Sequence, residues 1–273
     1  ESLINQAIAA KAMTPQKVRK FLASRPDYEL YGYGGHTSCV EITSQKSQII
    51  IDCGSGLRVL GERSMASRAQ KEFHIFLTHF HWDHLIGLPF FTPIFLPGYE
   101  FHFYAVQPEL EEAIRLKFRK PFFPVAFEEL GSKMFFHQIP ARKETVVGDI
   151  SVTPYLLDHP DPCYGLRIES AGKVYSHVVD TECIRNSRAE LGPDLPLYQN
   201  VDLMLFDAQY TLKEAAEKVH WGHASAIIGL ELAIREQIKA IYFVHHDPAS
   251  SDEHIFRSER EAAAAFESTN KLY

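Results

Sequence analysis

Residues 76–88 read FLTHFHWDHLIGL: an apolar run that sets His79, His81, Asp83 and His84 within six residues and then turns apolar again. On an extended strand end, His79 and His81 alternate by two and point to the same side, while Asp83 and His84 follow as the chain turns. Four ligating groups therefore converge on a small volume. Imidazole nitrogen and carboxylate oxygen suit zinc, manganese or iron, and the lack of a nearby thiolate favours a catalytic centre over a closed structural one. A lone histidine is usually a packed or solvated residue, but four donors at this spacing are not explained that way.

Working outward, the chain punctuates itself with short apolar strands that stop at or beside His or Asp. ISVTPYLLDH, KVYSHVVD, VDLMLFDA and AIYFVHH have this form, and YGLRIES lies among them. They contribute His159, Asp180, Asp207 and the pair His245–His246. Upstream, CVEIT and QIIID flank the polar turn SQKS as a hairpin that ends in Asp52-Cys-Gly-Ser-Gly. Helices are expected over 2–23, where Thr14-Pro15 opens a turn, over 57–70, over PELEEAIRLKF, and over 224–236. Strands alternating with helices, and no evident linker, imply one α/β domain of two sheets over residues 1–273. Within it, 1–30 reads as a helical segment and the Phe- and Pro-rich stretch 89–137 as an aromatic cap or dimer segment.

Composition bounds the function. The 273 residues carry a formal charge of −7, with 45 % hydrophobic and 23 % charged residues, as in an ordinary globular protein. An acidic balance disfavours a protein that grips a long polyanion through many Lys and Arg contacts, so long nucleic acid is a poor partner. Cys39, Cys53, Cys163 and Cys183 form no CxxC pair and no dense framework, which fits reduced thiols in a cytoplasm. No apolar run approaches the length of a membrane span, and there is no signal-peptide pattern.

The motif H79-F-H81-W-D83-H84, with the YGGHTSCVEI hairpin, IIDCGSGLR and the closing YFVHHDPASSD, resembles the metallo-β-lactamase superfamily. It is most similar to the phosphodiesterase branch that includes tRNase Z and bacterial cyclic-nucleotide phosphodiesterases. The resemblance implies an αββα fold, two β-sheets between helices. It implies two divalent ions, zinc foremost with manganese or iron as substitutes: His79, His81 and His159 on one, Asp83, His84 and His245 on the other, Asp180 bridging, and a hydroxide shared between them. His246 stays open as an alternative to His245. W221-G-H223-A-S-A resembles the HST motif of tRNase Z, which implies that His223 passes a proton to the leaving oxygen and that Asp207 partners it where tRNase Z has Glu; an N-cap without chemistry is the competing reading of the motif. His223, Asp83 and Asp207 are thus the candidate catalytic residues, and Asp52 an orienting one. His36, His74, His102, His137, His177, His220 and His254 are expected to be solvated or satisfied within the fold.

The resemblance further implies a first strand and a Gly-Ser turn ahead of Glu1. Bacterial tRNase Z carries a long basic Gly- and Pro-rich arm, whereas GPDLPLYQ between Asp180 and His223 is short and acidic. The expected activity is therefore hydrolysis of small phosphodiesters, cyclic nucleotides first, by a homodimer. A tRNase Z-like ribonuclease or other nuclease, a thioester or lactone hydrolase, and a non-catalytic nucleotide-binding protein are the alternatives.

Overall fold

The computed structural model describes residues 3–30, 32–67 and 71–270. The chain opens with helices α1 (Leu3–Ala9), α2 (Pro15–Leu22) and α3 (Asp27–Leu30). Thr14 caps α2 by accepting from the Lys17 N–H, with Pro15 at the first helical position, as the sequence signals. The hairpin β1 (Val40–Thr43) and β2 (Gln48–Ile51) follows, then α4 (Gly56–Ser67) and β3 (Glu72–Phe76). The expected end of that helix at 68–70 lies outside the described residues, as does residue 2.

Strand β4 (Glu100–Ala105), helix α5 (Leu110–Leu116) and strand β5 (Lys133–Gln138) occupy the aromatic segment. Then come β6 (Thr145–Val147), β7 (Ile150–Leu156), β8 (Tyr164–Ser170), β9 (Lys173–Val178), α6 (Arg188–Leu191) and β10 (Leu203–Asp207). The chain finishes with α7 (Leu212–Glu217), α8 (Ala226–Arg235), β11 (Ile241–Val244) and α9 (Asp252–Asn270).

Packing divides this chain into two units where the sequence reads as one domain: residues 1–35 with 246–273, and residues 36–245. In the first, Tyr28 packs its ring 5.1 Å from that of Phe256, and Asp252 accepts from the Tyr33 N–H. The second unit is the sandwich. One sheet has the order β1-β2-β3-β4-β5 and the other β11-β10-β9-β8-β7-β6.

Strict alternation along the first sheet sorts its side chains. Phe73, Ile75, Phe101 and Phe103 enter one core with residues of α4 and α5, while Phe76 and Tyr104 face the second sheet together with Ile49, Ile51, Ile150, Val152, Leu166 and Ile168. A third core, with Val178, Met204, Phe206, Leu232 and Ala233, covers the outer face of the second sheet. The segment 89–137 thereby supplies two sheet strands, and its Phe91, Phe101, Phe103 and Phe118 are fully buried. Phe90, Phe122 and Phe135 are the aromatics it leaves exposed. The stretch between β9 and β10 also packs inward, with Asp194, Leu197 and Tyr198 buried.

Candidate metal centre

Direction of the strands decides where the donors gather. β2 and β3 run parallel, as do β9, β10 and β11; β8 runs antiparallel to both β7 and β9, so β7 shares the direction of β9. Asp52, His79, His159, Asp180 and His245 follow the C-terminal ends of these strands within three residues, and Asp207 is the last residue of β10. Asp52, Asp180 and His245 take positive φ values of 60°, 63° and 61°, a left-handed conformation that turns the chain sharply as each strand ends.

Two donor sets result. His79, His81, His159 and Asp180 bring their ligand atoms within 4.8 Å of one another, and so do Asp83, His84, Asp180 and His245. Asp180 belongs to both. Its Oδ2 lies 3.1 Å from Nε2 of His79 and 3.1 Å from Nε2 of His84, and its Oδ1 lies 2.9 Å from Nε2 of His245. Asp83 Oδ2 stands 3.3 Å from His84 Nε2 and 3.2 Å from His245 Nε2, and His159 Nε2 is 3.4 Å from His81 Nδ1. All seven residues read from the sequence as ligands are therefore brought together. Of the adjacent histidines it is His245 that joins them; His246 Nε2 sits 3.8 Å from Glu259.

These spacings fit a metal. Nitrogen and oxygen ligands at 2.0–2.1 Å in a tetrahedral shell lie about 3.3 Å apart. Moreover, Nε2 of His79, Nε2 of His84 and Oδ1 of Asp180 are buried without a hydrogen bond although each has a neighbour at ion-pair distance. Short separations with misdirected lone pairs are what donors show when they aim at a point between them and not at each other.

The opposite ring nitrogens are held by a second set of groups. His84 Nδ1 lies 2.8 Å from Asp52 Oδ2, His81 Nε2 2.9 Å from Asp161, His159 Nδ1 3.1 Å from the Gly222 carbonyl, and His245 Nδ1 2.9 Å from Gln209 Oε1. Thr78 Oγ1 is 3.1 Å from His79 Nδ1. Such partners fix the tautomer and aim of each ring. Asp52 stands beside His84, where an orienting residue is expected. Asp161, Gln209, Thr78 and Gly222 escaped the sequence reading, because nothing local marks a residue whose role is set by a ring from another strand.

Charge follows the same geometry. Burial opposes the charged form of His84, but the carboxylates of Asp180 and Asp52 prevail and raise its pKa well above the usual histidine value. His245 likewise overcomes burial through Asp180 and Asp83 and is raised to about 10. Against the cost of burial, His84 and His245 hold Asp180 well below the ordinary carboxylate range. Burial lowers His159 to about 4. His177, read as satisfied, is fully buried with Nδ1 2.9 Å from the Tyr175 hydroxyl and Nε2 without a hydrogen bond.

His223 stands at the edge of the cluster. Its ring stacks on His245 at 5.0 Å between centroids, and its Nδ1 lies 2.8 Å from Asp207 Oδ2. Ser225, two residues on, caps α8 by accepting from the Ile228 N–H, so the capping role belongs to Ser225 and leaves the His223 ring free to face the donors.

Residues 47–246 match the family described as the β-lactamase superfamily domain, a span that takes in nearly all of the sandwich unit. This chain belongs to the β-lactamase superfamily. The metallo-β-lactamase resemblance read from HxHxDH and the two-sheet αββα expectation are both borne out, and the chain is a metal-dependent hydrolase of that superfamily. A ribonuclease Z of Bacteroides thetaiotaomicron is 22 % identical over 86 % of this chain and 87 % of its own length. Among solved structures, a diphosphatase from the PhnP family superposes with a TM-score of 0.58 at 19 % identity, over 81 % of this chain and 78 % of its own. The short form of human tRNase Z gives 0.58 at 17 %, over 78 % and 86 %. At such identities the structural likeness speaks for the fold. Among the described residues, no helix is long and apolar enough to cross a membrane.

Proposed function

We propose that this β-lactamase superfamily hydrolase is a phosphodiesterase that holds two divalent ions, zinc foremost, and cleaves small phosphodiesters, cyclic nucleotides first. The observation that carries the reading is the His223–Asp207 pair, 2.8 Å apart, at the edge of the donor cluster. His79, His81 and His159 would hold one ion, Asp83, His84 and His245 the other, and Asp180 both. Bound there, the ions would lower the pKa of water and neutralise charge on phosphoryl oxygens.

The chain's own residues supply the rest. Displacement at phosphorus leaves an alkoxide, which departs far more readily when protonated. Asp207 accepts from Nδ1 of His223 and also from the backbone N–H groups of Asp180, Gln209 and Ala224, which fix the carboxylate. With Nδ1 so occupied, Nε2 is the atom that exchanges the proton with the leaving oxygen. A thioester hydrolase has no need of this group, since a thiolate departs without such assistance.

Small substrates are favoured by the formal charge of −7 and by the inward packing of the segment between β9 and β10, where a projecting basic arm would be needed for a long RNA. A ribonuclease reading is favoured by the name carried by the Bacteroides relative. The two are separated by assaying 3′,5′- and 2′,3′-cyclic nucleotides, cyclic dinucleotides and a pre-tRNA with Zn²⁺ or Mn²⁺, with His84→Ala as control. Turnover of a cyclic nucleotide that the control lacks supports the first. Cleavage of pre-tRNA alone replaces it with the second, and turnover of an acyl thioester with no phosphodiester cleaved overturns both.

A further inference from the structure

Trp82 lies between His81 and Asp83, yet its own side chain takes no part in the donor cluster. It is 61 % exposed in a 3₁₀ turn, Trp82–His84, whose backbone is pinned by the Leu85 and Ile86 N–H groups donating to the Trp82 carbonyl. One face of the indole is taken: the Lys117 ammonium sits 3.5 Å from the ring centroid. Lys117, which caps the C-terminal end of α5, is only 6 % exposed, and no carboxylate pairs with it among the described residues. A nearly buried ammonium whose partner is an aromatic face anchors that ring. The result is a large flat surface, fixed from below and open on one side, about 3.8 Å of backbone from each of two metal-donor residues.

We propose that Trp82 is the nucleobase-stacking platform of this enzyme and Lys117 the positioning residue that holds the indole in place. This rests on the phosphodiesterase reading above. A ring open on one face takes one base and has no room to be sandwiched, and every base has a π-face it can offer. The turn that carries Trp82 is the same turn that aims His81, Asp83 and His84. A nucleotide whose phosphate met those donors would have this aromatic surface one residue along the same turn for its base. Lys117 acts through Trp82 and not on the substrate.

The chain has two tryptophans, so Trp221→Phe leaves Trp82 as the sole indole reporter. In that variant, adenosine 5′-monophosphate is expected to quench tryptophan emission in a saturable way, and ribose 5-phosphate, which lacks the base, is not. Equal effects from the two, or none from either, overturn the proposal, and this result stands whether or not any diester is turned over. Kinetics supply the second arm with two substrates that share a leaving group, thymidine 5′-(p-nitrophenyl phosphate) and methyl p-nitrophenyl phosphate. Trp82→Ala should raise KM about tenfold for the first with kcat little changed, and leave KM for the second as it was. Trp82→Phe should recover most of the loss, and Lys117→Met should show a smaller rise confined to the thymidine substrate. Parallel losses on both substrates would make Trp82 a structural residue and remove the proposal. Failure of the native enzyme to cleave either diester would instead remove the phosphodiesterase reading, with the quenching experiment still deciding the platform.

Discussion

His223 Nδ1 and Asp207 Oδ2 lie 2.8 Å apart, and the aspartate is wholly buried while the histidine is partly open. That asymmetry assigns direction: the carboxylate is fixed by three backbone N–H groups and the ring presents its other nitrogen outward. If the ring delivers a proton to the leaving oxygen, the cost of losing it must depend on what leaves. His223→Ala should lower kcat about a hundredfold or more for a diester with an alkoxide leaving group, and by only a few-fold for one that releases p-nitrophenolate. Asp207→Asn should follow the same pattern with a smaller loss. Equal losses on both substrates would show that His223 positions the substrate and does not protonate it.

Gly222 tests the role of His159. Its φ is +88°, its carbonyl faces His159 Nδ1 at 3.1 Å, and its N–H donates to Glu182 at 2.8 Å. A Cβ at this position would stand 2.1 Å from His159 Nδ1 and 2.4 Å from its Cε1, which no relaxation of the strained backbone accommodates with the ring in place. Gly222→Ala should therefore weaken metal binding about tenfold to a hundredfold, as loss of an orienting partner does. Competition with a chromophoric chelator measures this. Native affinity in the alanine variant would remove His159 from the ligand set.

Asp52 is fully buried and accepts from Ser38 Oγ, the Thr78 N–H and Thr78 Oγ1 while it holds His84 Nδ1. Asp52→Ala leaves these donors without a partner inside the fold, and a loss of about 3 kcal/mol is expected from urea unfolding. Asp52→Asn keeps the volume but loses the charge opposite His84, so metal affinity should fall with a smaller change in stability. In the native protein a chelator should lower Tm, and Zn²⁺ should restore it with release of protons into a weakly buffered solution. A chelator that leaves Tm unmoved would mean that the donor cluster holds no structural load from a metal.

Legibility in the sequence divides along the same line as local and non-local interaction. His79, His81, Asp83 and His84 were readable because one strand end carries them all, and Asp180 and His159 because each closes an apolar run. His245 could not be separated from His246 by pattern; the left-handed turn at His245 and the pairing of β11 with β10 decide between them. EFHFYA in the aromatic segment is an alternating strand that buries Phe101 and Phe103, while Phe90, Phe122 and Phe135 of the same segment stay exposed, a division that phenylalanine content alone does not make. Asp161 and Gln209 had no sequence signal, since each is chosen by a histidine distant along the chain. Trp82 offers the motif no donor, and the Lys117 ammonium on its face is a contact that only the fold brings about.

The middle of the first sheet carries a second group of histidines, along the strands β3, β4 and β5, with a different consequence. His74 and His102 stack at 4.9 Å, His102 and His137 at 5.3 Å, and His102 Nδ1 lies 3.0 Å from His137 Nε2. Tyr104 Oη approaches His74 Nδ1 at 3.0 Å, Phe135 stacks on His102, and Glu72 Oε1 faces Nε2 of both His74 and His102 at 3.2 and 3.4 Å. Burial first and the charge of His102 second push His74 and His137 below the usual histidine pKa, against the pull of Glu72 on His74. A histidine depressed in the folded state binds fewer protons than its unfolded counterpart once pH falls below about 6.5, so stability declines as pH drops through that window. His102→Phe keeps the stack against Phe135 and removes the central charge. Its Tm should therefore fall less steeply than that of the native protein between about pH 7 and 5.5. The metal-donor residues are the same in both proteins, so the comparison isolates the stacked group. Curves of equal slope would show that the stacked histidines carry no part of the acid sensitivity.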